Sequence, residues 1–248
     1  MVSTPVAIAV VVADLALAIL LVAGIAYAAR AERRPAVLWL GGGAVLAWFV
    51  LTLILGKQGV YESTAETTMP PPIAPAIVIP IVIGCALLAL AGVRRTIARV
   101  PLHWLVGVQL YRIGGGLFLI ALLQDDIPAE FALPAGIGDL VVGVTAPLVA
   151  LAIARQGIDR VWPRVLAWCT LGIVDLVAAV TLGLLTAPSA FQQLALDTPN
   201  AAITSYPLVL IPTFAVPVSI LLHVYAVARL TTSVQPSALT TAPTRPAA

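Results

Sequence analysis

Four ionisable residues, Asp14, Arg112, Asp139 and Asp175, stand well inside long apolar runs of the sequence. An unpaired charge at membrane depth costs several kcal/mol, so such residues face the protein interior and find partners. One Arg neutralises one of three carboxylates. The others must then protonate, bind a cation or reach water, an imbalance that a proton- or cation-linked function would use. The structural alternative is a clamp between Arg112 and one Asp, with the remaining acids capping helices or facing a vestibule. Measured from the outer ends of their runs, Asp14 and Asp139 lie ~10 to 12 Å deep, and Arg112 and Asp175 ~16 to 18 Å deep. One shared polar layer is therefore expected. Small or polar residues three and four positions away, such as Gln109 and Gly115 around Arg112, Gly136 and Gly143 around Asp139, and Gly172 around Asp175, support an inward orientation. Direct contact between Asp139 and Arg112 is expected.

His103 and His223 form a second constellation, because two histidines from two helices can hold a haem. No metal site is expected, since neither Cys nor carboxylate stands at ligand spacing. The last apolar run carries Pro207, Pro212 and Pro217 at intervals of five. Each removes a backbone donor, so a kinked or partly unwound segment with freed carbonyls is expected there. The turn holding Asp125, Asp126 and Glu130 precedes the run that contains Asp139. These acids either complement a helix N-terminus or form a cation-attracting vestibule.

The elements that must position these residues are legible in composition. Of 248 residues, 61% are hydrophobic and 10% charged, with a mean hydropathy of +1.07. A soluble domain carries about 25% charged residues. Seven apolar runs, near 6–28, 36–56, 71–93, 103–123, 132–154, 163–187 and 205–229, have the length a helix needs to cross ~30 Å of hydrocarbon. The expected fold is an all-α polytopic bundle of seven transmembrane helices over residues 1–230, with a disordered cytoplasmic tail over 231–248. Alternating ten-residue strands are absent, which argues against an outer-membrane barrel.

Eleven arginines fall in alternate loops or at the end: Arg30, Arg33 and Arg34; Arg94, Arg95 and Arg99; Arg155, Arg160 and Arg164; Arg229 and Arg245. The opposite loops hold Lys57 among six acids. The Arg side is expected in the cytoplasm, with the N-terminus outside, in the inner (plasma) membrane. The net charge of +2 reflects that asymmetry and gives no reason to expect nucleic acid. The first run resembles a signal peptide at Ala26-Tyr27-Ala28, but the arginines follow it rather than precede it, so it is kept as a span. Cys85 and Cys169 fall inside runs and suggest neither disulfide nor metal.

Asp14 and Asp139 stand 125 residues apart, and Pro75 and Pro207 stand 132 apart. These near-equal offsets suggest a 3+1+3 pseudo-repeat. Such an arrangement with an external N-terminus is similar to the architecture of the SWEET sugar transporters, although the Pro-Gln signature is missing and the prolines fall in other helices. The resemblance implies a carrier fold. The only lysine, Lys57, lies in a loop, which excludes a retinal Schiff base in the last helix. Phosphate-loop, zinc-protease and paired-cysteine motifs are absent, and no nucleophile stands out for an enzyme. The best reading is a small-solute or proton-linked carrier using Asp14, Gln109, Arg112, Asp139 and Asp175. The alternatives are a haem or redox protein using His103 and His223, or an accessory subunit of a membrane complex. No cofactor is predicted outside the haem alternative. The expected partners are the lipid bilayer, a small solute or proton, and further copies of the chain.

Overall fold

The computed structural model describes residues 3–233, and every regular element among them is helical. In chain order these are α1 (Thr4–Glu32), α2 (Pro35–Lys57), α3 (Ile73–Leu87), α4 (Ala91–Arg99), α5 (Leu102–Leu123), α6 (Ala129–Gln156), α7 (Ile158–Thr186) and α8 (Ile211–Thr231). All but α3 and α4 are long and apolar enough to cross a membrane. The expected tail lies outside the described residues from 234 onward, while α8 continues in helical conformation through Ser233.

The run expected as one helix over 71–93 is broken, because α3 and α4 meet at 93°. The reason is charge. Arg94, Arg95 and Arg99 crowd one short segment, which hydrocarbon would not accept, and a basic amphipathic helix favours the plane of a membrane surface. Arg94 then bends back, donating from Nη1 to the carbonyls of Leu88 at 2.7 Å and Ala89 at 2.9 Å, and so satisfies the end of α3.

The last run also begins later than expected. Residues 205–209 form a bend and a turn, with Leu208, Val209 and the first helical residue, Leu210, fully buried. A π-helical segment, Ile211–Ala215, then accommodates Pro212 at the start of α8. Proline has no N–H for the usual i→i−4 bond, and the wider turn tolerates that loss. This is the distortion the proline spacing predicts. α8 is the central helix of the bundle, with 61% of its apolar window buried against 33% or less in the others. Its Tyr225 hydroxyl donates to the carbonyl of Gly84 on α3 at 3.0 Å. Tyr225→Phe is expected to cost about 1 kcal/mol, read as a lower melting temperature of the purified protein in mild detergent.

Most of these helices are apolar on every side, so a hydrophobic stripe cannot decide which face turns inward. The polar residues decide it. On α1, Asp14 lies in line with buried Val6, Val10, Leu17 and Ala18, although exposed Ile8, Val12 and Ile19 are equally apolar. Turning α1 would lose little apolar contact in lipid but would put Asp14 in hydrocarbon.

The arginine-bearing helix ends gather together. Glu32 at the end of α1 accepts from Thr96 of α4 at 3.4 Å, and Arg229 of α8 donates to Val100, beyond the end of α4. At the other end, the loops after α2 and α7 meet through Ala190 N–H to Thr67 C=O at 3.1 Å. Ser63 N–H also donates to Thr204 Oγ1, at 3.3 Å.

Candidate functional site

The site is organised by a distortion in α5. Residues Val108–Gly115 wind as a 3₁₀ helix, in which side chains three apart eclipse one another. Buried Val106, Gln109, Arg112, Gly115, Phe118 and Ala121 accordingly recur every three residues along one line. That line faces α6, α7 and α8, and it places Arg112 at the centre.

Arg112 is 2% exposed and all its guanidinium nitrogens are engaged. Nε donates to Asp139 Oδ1 of α6 at 2.7 Å, and Nη2 donates to Asp175 Oδ2 of α7. Nη1 faces the Gly172 carbonyl at 3.5 Å and His223 Nε2 of α8 at 3.4 Å. Because Arg has no acceptor, His223 must accept through Nε2. Its Nδ1, which then carries the proton, is buried without a partner. The expected contact between Arg112 and Asp139 is thus present, and Asp175 and His223 join it.

Glycines make the cluster sterically possible. A Cβ on Gly115 would lie 2.2 Å from Asp139 Cβ, and one on Gly138 would lie 1.6 Å from Asp175 Oδ1. On Gly172 it would lie 2.3 Å from His223 Nε2, and on Gly143 it would lie 2.6 Å from the backbone nitrogen of Ile113. Asp139, Asp175 and His223 each sit in a niche cut into the neighbouring helix, and Gly143 lets α6 approach the backbone of α5 at Arg112 and Ile113.

A polar ladder continues along α8. Gln109 Nε2 donates to the Ser219 carbonyl at 3.1 Å, and Ser219 Oγ donates to Gln109 Oε1 at 2.9 Å. Tyr111 donates to the carbonyl of Ala215 in the π segment at 2.9 Å and also meets Ser219 Oγ. Sequence reasoning named Gln109 but missed Tyr111. Its adjacency to Arg112 within an apolar run is the only signal for it.

Asp14 shares the layer without touching Arg112. It is 2% exposed, and its Oδ2 has no hydrogen-bond partner. It lines a cavity of about 40 Å³ together with Tyr111, Arg112, Gly115, Asp139 and Ser219. A second cavity of about 50 Å³ runs from Asp139 to Ser63, Ser189 and Thr204 beside the loops. The acidic turn of Asp125, Asp126 and Glu130 lines neither cavity, and Glu130 instead occupies the first turn of α6, where its charge complements the helix dipole.

The histidines do not converge. His103 stacks edge-on against Trp104 at the start of α5, with ring centroids 6.4 Å apart. It stands nine residues from Arg112, hence ~16 Å along the axis, whereas His223 touches Arg112 and packs on Trp168 at 5.0 Å. Nε2 of His223, the nitrogen a haem iron would take, faces a guanidinium instead. Among the described residues, no group of three or more His, Cys, Asp or Glu could hold a metal.

Apolar helices of membrane length packed around a buried arginine and its part-buried carboxylates define an all-helical protein of membrane type. The chain belongs to the family described as a domain of unknown function (DUF8737), whose model matches residues 76–231. That stretch carries Arg112, Asp139, Asp175 and His223, and Asp14 lies before it. No curated protein and no solved structure matches the chain, so the resemblance to the SWEET architecture rests on the sequence echoes alone.

Proposed function

We propose that the chain is a multi-pass protein of the inner (plasma) membrane that carries a small solute in a proton-linked cycle. Seven crossings with an external N-terminus and a cytoplasmic C-terminus fit the contacts. α2 ends beside one set of loops and α4 lies beside the end of α1 at the other, so α3, although only ~22 Å long, must connect the two sides. The Asp14 and Asp139 helices would then occupy matching places in a 3+1+3 arrangement.

The observation that carries the function is the charge count at Arg112. Its guanidinium is shared by Asp139 and Asp175, while Asp14 faces the adjoining cavity with no counter-charge. Two of the three carboxylates are left over in a largely buried layer, and a proton is the smallest cation that restores neutrality. Arg112, fully engaged, acts as a fixed counter-charge rather than as a receptor for an anion.

Proteoliposomes with a trapped pH dye test this. Under an imposed pH gradient the wild-type protein is expected to acidify the lumen faster than empty vesicles, and Asp14→Asn is expected to abolish the excess while folding normally. A rate equal to that of empty vesicles for the wild type would reject proton movement.

A second reading is favoured by the saturation of Arg112 itself: a packing clamp in an accessory subunit. It predicts that Asp139→Asn lowers abundance and leaves every flux of the remaining folded protein unchanged.

A further inference from the structure

We infer that the cavity between the loops and Asp139 binds an elongated apolar molecule with one cationic end, an amphipathic amine. The inference rests on the proton-linked reading of the same site and names its substrate class.

Three observations carry it. First, the walls are apolar: Ile77, Phe118, Phe131, Leu176, Val180 and Leu184 enclose the cavity, and hydroxyl groups of Ser63, Ser189 and Thr204 stand at the loop end. Its volume of about 50 Å³ is several times what one water requires. Second, Asp139 is the only charged residue among the described residues that line it. Leu176, Ile211, Val216 and Asp139 line both cavities, so the apolar one adjoins the one that holds Asp14. Third, the charge available to a ligand is negative. Arg112 is divided between two carboxylates, and the buried Oδ2 of Asp14 has no partner at all. An anionic head would meet surplus carboxylate. An ammonium beside Asp139 would balance the surplus charge of the Arg112, Asp139 and Asp175 group, and a proton that otherwise balances that group would leave to water as the amine enters.

The probe is a set of three chains of equal length: octylammonium, octanol and octanoate. Thermal unfolding of the full chain in mild detergent is expected to shift upward with octylammonium and to stay in place with the other two, since a ligand that binds only the folded state stabilises it. Asp139→Asn is expected to weaken the effect at least about tenfold. Because that variant also disturbs Arg112, Ala179→Phe provides a second reading. Ala179 lines the cavity one turn beyond Asp175 on α7 and makes no hydrogen bond to Arg112, and a ring there fills the space the tail needs. Equal shifts from all three probes, or an octylammonium shift undiminished by Ala179→Phe, would overturn the inference. A pH dye in unbuffered solution separates the two claims. Amine binding without proton release rejects the proton-linked reading and keeps the site, whereas proton flux in vesicles without amine binding rejects this inference alone.

Discussion

Arg112→Gln is expected to cost the folded protein about 3–5 kcal/mol, the range found when one partner of a buried ion pair is removed. The substitution leaves Asp139 and Asp175 side by side with no cation, His223 Nε2 without a donor, and the Gly172 carbonyl unserved. Glutamine retains N–H donors but neither the charge nor the planar fork that reaches both acids. The readout is the temperature at which the protein leaves its monodisperse peak in size-exclusion chromatography. Combining Arg112→Gln with Asp139→Asn and Asp175→Asn is expected to recover much of the loss, because the uncompensated charge is then gone. If the triple variant is no better than Arg112→Gln alone, charge is not what the cluster balances.

Gly138→Ala is expected to disrupt the same cluster by steric means. Its added Cβ would fall 1.6 Å from Asp175 Oδ1, so α6 and α7 must separate or Asp175 must rotate away from Arg112. Overpacking of this kind costs about 1–3 kcal/mol, and loss of the ion pair adds to it. Gly114→Ala and Gly43→Ala are the matched controls. An added Cβ meets nothing within 4 Å at either position, so both are expected to leave the melting temperature unchanged or slightly higher. A Gly138→Ala protein as stable as these controls would mean that the niche is not needed.

These contrasts show what the sequence could and could not reveal. Runs of apolar residues report the solvent a helix prefers, and they locate α1, α2, α5, α6 and α7 to within a few residues. They say nothing of rotation, because a helix apolar all round has no periodic face. Orientation was legible only at the polar and glycine positions. Those place Asp14, Arg112, Asp139 and Asp175 on inner faces, with small residues beside them. Partnership was less legible. Asp139 with Arg112 followed from depth, but the guanidinium's second carboxylate and His223 depend on how α7 and α8 cross α5, which spacing along one chain does not encode.

His223 shows the limit most clearly. Residue type and membrane side linked it to His103, whereas its actual neighbour is Arg112. The bend between α3 and α4 was missed for a related reason. The apolar run over 71–93 stops just short of Arg94, Arg95 and Arg99, and its residues 88–93 are apolar enough to continue the helix that the structure turns aside after Leu87.

Infrared difference spectroscopy of the protein in bilayers, recorded across an acid-to-alkaline titration, reads the proton on Asp14 itself, since a protonated carboxylic acid has its own C=O stretch. The account predicts a carboxylic-acid band from a buried group that disappears on titration, is missing in Asp14→Asn, and is retained in Glu130→Gln. A titration in which no such band rises or falls, or one in which Asp14→Asn leaves it intact, would contradict a proton-binding layer built on Asp14 and Arg112.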